Sequence, residues 1–92
     1  MTIKLFPIMD NKSYPEAGDA LFEILVNNIT EDKIIIDLEG VVSLPSIFLN
    51  VSIGKYIQDY GLDKLRETIS FTKISETQAK RLSEYIHRVA TA

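Results

Sequence analysis

Three adjacent β-branched residues, Ile34, Ile35 and Ile36, lie between the charged residues Lys33 and Asp37. A short apolar run without polar alternation is typical of a central strand in a parallel sheet that is covered on both faces. We therefore predict that Ile34–Ile36 forms a fully buried strand around which the rest of the chain packs.

The flanking segments predict alternating strands and helices. Because a strand–helix–strand unit places its strands parallel, the predicted fold class is α/β: a small single-layer, mostly parallel sheet of about three to four strands with packed helices, in the order β-α-β-α-β-α. At 92 residues the chain suits a single domain spanning residues 1–92. The other predicted elements are a strand over Thr2–Ile8, a helix over Pro15–Asn28, a helix over Ile47–Tyr60, a short helical turn over Leu62–Glu67, a strand over Thr68–Ile74 and a last helix after Ser75.

Local signals support the predicted helix ends. Ser13 with Glu16, and Ser75 with Gln78, have the spacing of a capping box, in which a serine and a Glu or Gln three residues later satisfy free backbone N–H groups. Gly61 is a natural stop for the central helix.

The predicted central helix is apolar on more than one side. Ile47 and Val51 lie almost opposite the stripe formed by its other apolar residues, so the helix is either buried against two neighbours or offers one face to a partner. Gly54 lies inside this helix at a cost in helix propensity, which indicates close approach of another element.

Composition restricts the classes of function. The net charge of −3 and the pI near 5.0 give no electrostatic reason to bind nucleic acid. The chain has no cysteine and one histidine, His87, so neither a thiolate site nor a histidine triad for a metal is expected. No segment predicts a secretion signal or a membrane span. We expect a cytoplasmic domain without metal, cofactor, nucleic-acid or membrane partner.

Two groups of charged residues have competing interpretations. Asp37, Glu39 and Asp59 could serve as acid–base carboxylates, since a carboxylate after a strand can carry chemistry; turn formation explains Asp37–Gly40 better. On the last helix Lys80, Arg81 and Arg88, with His87 beside them, form a small basic face whose usual meaning is a solvated surface. Without a nucleophile–base pair or a phosphate-binding glycine loop, an enzyme is the least favoured reading.

Several short motifs resemble those of STAS-like domains, which are small bacterial domains related to anti-sigma-factor antagonists. The resemblance spans about residues 15–90 and implies a STAS-like fold. The motifs are Ile35-Ile36-Asp37-Leu38, Gly40-Val41, Ser46 followed by Phe48-Leu49, and Gly54-Lys55.

What the resemblance implies is a non-enzymatic regulator that switches protein partners. In the antagonists, the second serine of an Asp-Ser-Ser-Gly segment is phosphorylated by an ATPase-fold anti-sigma kinase, which is then released. Here that segment aligns with Pro45-Ser46-Ile47-Phe48: Ile47 occupies the phosphoacceptor position, Ser46 matches only the neighbouring serine, and the Asp and Gly are absent. The comparison therefore supports a docking role better than it supports phosphorylation.

We predict that a protein partner docks on the loop and helix over Leu44–Val51, where Ser46, Ile47, Phe48 and Val51 form the binding surface and Ile47 or Phe48 is the anchor. Burial of these apolar residues in the domain core is the competing explanation. A homo-oligomer that pairs the same helix face is the alternative function. Ser46 is either a phosphorylation site or a helix N-cap, and the cap is favoured.

Overall fold

The computed structural model describes residues 1–91, which contain three strands and six helices. The elements are β1 (Thr2–Lys4), α1 (Leu5–Met9), α2 (Tyr14–Asn27), β2 (Ile34–Asp37), α3 (Ser46–Asn50), α4 (Ile53–Tyr60), α5 (Leu62–Thr68), β3 (Ile69–Thr72) and α6 (Glu76–Thr91).

The strands form one parallel sheet in the order β1-β2-β3, with Ile3 opposite Ile36 and Ile36 opposite Phe71. This arrangement confirms the predicted α/β class and the parallel pairing. The strand around Ile34–Ile36 is central, as its composition indicates.

The two faces of the sheet differ in burial. Ile3, Ile34, Ile36 and Ile69 share one face and are buried, so the helices pack on that side. Ile35 points to the other face and is only half-buried. The prediction of a strand buried on both faces is therefore wrong for Ile35, because this small domain covers mainly one side of its sheet. The neighbours of Ile35 on the open face are Thr2, Lys4, Ser70 and Thr72, of which all but Thr72 are exposed.

The first predicted strand, Thr2–Ile8, is shorter in the structure. β1 ends at Lys4, and Leu5–Met9 forms the short helix α1. Pro7 is compatible with this helix because it lies in the first turn, where backbone N–H groups have no intrahelical acceptor.

Both predicted capping sites form. The Glu16 backbone N–H donates to Ser13 Oγ at 3.3 Å at the start of α2. At the start of α6 the exchange is reciprocal: the Gln78 N–H donates to Ser75 Oγ at 3.1 Å, and the Ser75 N–H donates to Gln78 Oε1 at 3.0 Å.

The predicted helix over Ile47–Tyr60 is divided into α3 and α4. The break includes Ser52, which has φ −121° and ψ −87°. Ser52 is fully buried and its hydroxyl donates to the Phe48 carbonyl at 2.9 Å. A serine that bonds to a preceding carbonyl competes with regular helix geometry, and this local alternative is hard to recognise in a sequence that otherwise reads as helical.

Two glycines allow helices to come close together. A Cβ on Gly54 would overlap the hydroxyl of Tyr85 on α6, which confirms the close approach predicted at this position. A Cβ on Gly18 of α2 would overlap the Val51 side chain and lie 2.7 Å from the Phe48 carbonyl oxygen. The core thus forms where α2, α3, α4 and α6 meet over one face of the sheet.

Candidate functional site

The chain leaves β2 through a tight turn at the carboxyl end of the sheet. The Glu39 N–H donates to Asp37 Oδ1 at 2.9 Å, and the Val41 N–H donates to the Leu38 carbonyl at 2.9 Å. Gly40 has φ +85°, a conformation that glycine adopts readily. The turn predicted over Asp37–Gly40 is confirmed.

A small group of charges surrounds this turn. Lys73 Nζ lies 2.7 Å from Glu39 Oε2 and 3.9 Å from Asp37 Oδ2. The pKa of Lys73 is raised above its ordinary value, chiefly by the hydrogen bond to Glu39 and, to a smaller extent, by the negative charges of Glu39 and Asp37. Asp59 lies on α4 and is not among the residues that line the cleft beside Asp37 and Glu39. The three carboxylates that the sequence singled out therefore do not form one site.

The rest of the loop is tied to α6. Gln78 Nε2 donates to the Val41 carbonyl at 2.6 Å and to the Val42 carbonyl at 3.3 Å, while Arg81 Nε donates to the Leu44 carbonyl at 2.9 Å. The prediction that Arg81 belongs to a solvated basic face is therefore incomplete, because its guanidinium also holds the loop at Leu44. One local signal for the Gln78 bonds is present in the sequence: a glutamine at the third helical position can accept a capping bond and still donate a second bond elsewhere.

The predicted docking residues have different environments. Ile47 is 53% exposed, whereas Phe48 is 1% exposed and belongs to the core. Val51 is half-buried and contacts the backbone of α2 at Gly18. The proposal of Phe48 as an anchor must be corrected, because a partner could reach this side chain only if the domain opened. Ile47 is accessible.

Ser46 is the first residue of α3, and Pro45 is the N-cap residue. The predicted Ser46 cap is therefore wrong, since the serine lies one position too late to cap the helix. Ser46 lines a small cleft that also contains arginines and one carboxylate. The cleft's other lining residues are Leu49, Arg81, Glu84, Tyr85 and Arg88.

An apolar groove lies next to the loop but outside the predicted Leu44–Val51 segment. We name it the loop groove; it has a volume of about 370 Å³. Val42 is 90% exposed, Phe6 47% and Tyr14 44%. Phe6 is not among the predicted site residues, because the pattern over Thr2–Ile8 predicts a strand, whereas Phe6 lies on α1. The loop groove is lined by Phe6, Met9, Asp10, Asn11, Lys12, Tyr14, Gly40, Val41, Val42 and Ser43.

Other classes of site find no support in residues 1–91. The described part of the chain contains no group of three His, Cys, Asp or Glu side chains placed to hold a metal ion. His87 is exposed on α6. None of the helices described here combines the length and hydrophobicity needed to cross a bilayer.

The comparison with protein families agrees with the fold. The family model described as STAS-like domain of unknown function (DUF4325) matches residues 17–79. The chain belongs to this STAS-like family. The match includes β2, the loop, α3, α4 and β3, whereas β1 and α1 precede it. Searches of curated proteins and of solved structures gave no significant match.

Proposed function

We propose that this domain is a non-enzymatic regulatory module that binds a protein partner through the carboxyl end of its sheet. The proposed surface combines the loop groove with Ile47 on α3. The observation that carries the proposal is the exposure of Val42, which is 90% accessible on a loop whose carbonyls are fixed by α6.

The fixed backbone supports a binding role. Gln78 bonds the carbonyls of Val41 and Val42, and Arg81 bonds that of Leu44. A loop held on both sides of an apolar side chain loses little conformational entropy when a partner binds. Desolvated apolar anchors at the centre of a contact supply most of its binding free energy. Val42 and Ile47 are the side chains that suit this role, and Phe6 and Tyr14 would extend the contact.

The partner class comes from the family resemblance: an ATPase-fold kinase of the anti-sigma type. Ser46 is the proposed point of regulation. A phosphate there would lie in the cleft with Arg81 and Arg88, which can pair with it, and with Glu84, which opposes it. Because Arg81 also bonds the Leu44 carbonyl, a phosphate that recruits this guanidinium would loosen the loop that carries Val42.

The decisive experiment measures affinity for purified ATPase-fold kinases from the source organism by titration calorimetry. Val42→Asp and Ile47→Glu place charges on exposed positions, so both variants should stay folded. We expect each to weaken binding by about tenfold or more, as expected for an anchor worth 1–2 kcal/mol. Thr30→Asp is the matched control, because Thr30 is exposed and lies before β2, at the opposite end of the sheet.

Full affinity in both apolar-to-charged variants would contradict the docking surface. Ser46→Asp tests the regulatory step separately: if it alone leaves affinity unchanged, docking stands and the phosphate switch is abandoned. Sedimentation of the protein alone tests the alternative function. A dimer that Val42→Asp or Ile47→Glu dissociates would mean that a second copy, rather than a kinase, occupies this surface.

A further inference from the structure

The outer edge of the sheet at β3 has unpaired backbone groups. The Leu38 N–H donates to the Thr72 carbonyl at 3.0 Å, so the backbone groups of Thr72 point towards β2. Because these groups alternate in direction along a strand, those of Phe71 point away from the sheet. Within residues 1–91 the N–H and the carbonyl of Phe71 have no hydrogen-bond partner.

An apolar groove of about 420 Å³ lies beside this edge, between β3 and α6. We name it the edge groove. The side chain of Phe71 lines it and is only half-buried, although it shares the helix-covered face with the buried Ile36. The edge groove is lined by Arg66, Phe71, Ile74, Ala79, Leu82, Ser83, Ile86 and His87. None of these residues lines the loop groove.

The edge groove has one cation and no carboxylate among its lining residues. The cation is Arg66 on α5, and the imidazole of His87 on α6 also lines the groove. Among the described residues, no carboxylate oxygen lies within 4.0 Å of the Arg66 guanidinium. The salt bridges in this part of the chain are those of Lys73 with Asp37 and Glu39. This is a local basic site on a protein whose net charge is −3.

From these observations we infer that the edge groove binds an extended segment of another protein whose groove-facing side chains, at every second position, are apolar with one carboxylate among them. The segment adds a fourth strand beside β3, with backbone hydrogen bonds to the N–H and carbonyl of Phe71. Its apolar side chains enter the edge groove, and a carboxylate pairs with Arg66. Strand addition uses these two elements, a free sheet edge for affinity and pockets for alternate side chains for specificity.

The opposite edge of the sheet does not offer the same combination. The cleft next to β1 is lined by Lys4, Phe6, Pro7, Asp37 and Glu39, which include two carboxylates. The two carboxylates would repel an acidic segment there, and β1 ends at Lys4, where the chain continues as the helix α1. The charge and shape complementarity therefore select β3.

The test uses three blocked eight-residue peptides and the complete protein. All three have threonine at every second position, on the face that points away from the groove. In the first, the acidic peptide, the groove-facing positions hold valines and one glutamate. In the second, lysine replaces this glutamate, and the third is the acidic peptide with proline at two of its valines. We expect the acidic peptide to bind with a dissociation constant below about 1 mM, and the other two to bind at least about tenfold more weakly. Amide hydrogen exchange at Phe71 should slow when the acidic peptide is bound, because its N–H gains an acceptor.

Ser83→Trp fills the edge groove from an exposed position on α6, so it tests the groove without removing a core side chain. It should abolish binding of the acidic peptide. Lys80→Trp, on an exposed position of the same helix outside the groove lining, should not. Arg66→Glu should reverse the preference between the acidic and the lysine peptide.

Val42→Asp separates this site from the proposed kinase surface, since it should leave the affinity of the acidic peptide unchanged. No amide shifts with 1 mM acidic peptide, equal binding of the acidic and lysine peptides, or full binding by Ser83→Trp would overturn the inference. So would a dimer of the free protein that Ser83→Trp dissociates, because a second copy would then be the occupant.

Discussion

Gln78 Nε2 donates to the Val41 carbonyl across a separation of 2.6 Å, although the two residues are 37 positions apart in the chain. The same side chain accepts from the Ser75 N–H at 3.0 Å and so completes the cap of α6. One amide therefore performs two tasks that need different atoms: its oxygen caps a helix and its nitrogen holds the loop that presents Val42.

Gln78→Glu separates these two tasks. Glutamate retains the oxygen that accepts from Ser75, but it cannot donate to Val41 and Val42, and its charge faces their carbonyls. We expect a loss of about 1–2 kcal/mol in the free energy of unfolding and faster amide exchange in the loop. Denaturant unfolding and hydrogen exchange measure the two effects.

Ser75→Ala provides the complementary control. It removes the side-chain acceptor at the helix start, at a cost of about 1 kcal/mol, and should leave exchange in the loop unchanged. If Gln78→Glu leaves both stability and loop exchange at wild-type values, the bonds to Val41 and Val42 do not hold the loop in solution.

Gly54→Ala should destabilise the protein, although alanine is the better helix former by about 1 kcal/mol. The added methyl group would overlap the Tyr85 hydroxyl and lie 3.2 Å from the Leu49 carbonyl oxygen. Overpacking of this kind costs about 1–3 kcal/mol. Thermal unfolding should therefore show a lower Tm for Gly54→Ala than for the wild type.

A double-mutant cycle identifies the cause of this loss. Tyr85→Phe removes the hydroxyl, which also ends its 2.7 Å hydrogen bond to Asn50. In that background Gly54→Ala should cost less, with a coupling of about 1 kcal/mol or more. Additive losses would show that Tyr85 does not limit the space at Gly54.

The two faces of β2 predict different sensitivities for adjacent isoleucines. Ile36→Ala removes a fully buried side chain and should cost about 3–4 kcal/mol, within the range for large-to-small core changes. Ile35→Ala lies on the open face and should cost about half as much, because the side chain is already partly hydrated. Urea unfolding of both variants tests this difference, and equal losses would mean that the second face is covered in solution.

The case of Ile35 also shows what the sequence could provide. An uninterrupted Ile34–Ile36 run correctly predicts a central parallel strand, because such strands exclude polar residues. The run does not reveal whether one or both faces of the sheet are covered, since that depends on the side of the sheet on which the helices pack. The caps at Ser13 and Ser75 were predictable because their interactions are local.

The candidate site was less predictable because its parts are distant in the chain. The position of Ile47 opposite a helical stripe is compatible with burial against a second neighbour and with a partner surface, and the structure shows it 53% exposed. Phe48, the other predicted anchor, packs into the core. Phe6 lines the loop groove because it lies on the helix α1, in a segment for which the sequence predicts a strand. The bonds of Gln78 to the loop span more than 35 residues, and no local pattern encodes them.

The last prediction concerns Tyr56, a fully buried tyrosine whose hydroxyl has no hydrogen-bond partner in residues 1–91. Burial raises the pKa of Tyr56 above its ordinary value near 10. The Thr68 side chain acts on this pKa in the opposite direction without reaching hydrogen-bond geometry. Tyr56→Phe therefore removes a polar group that gains nothing from burial, and the free energy of unfolding at pH 7 should stay equal or rise by up to about 1 kcal/mol.

The pH dependence gives the same variant a second, independent readout. With a raised pKa in the folded state, Tyr56 stays protonated after the unfolded chain begins to lose this proton near pH 10, so the folded wild type loses stability as the pH rises further. Tyr56→Phe should lose less stability between pH 9 and about 11, while Tyr14→Phe, at an exposed tyrosine, should follow the wild type. Chemical unfolding across this range measures both slopes. If Tyr56→Phe lowers the free energy of unfolding at pH 7 by more than about 1 kcal/mol, the hydroxyl is hydrogen-bonded in solution. An equal loss in Thr68→Val would then identify Thr68 as its partner.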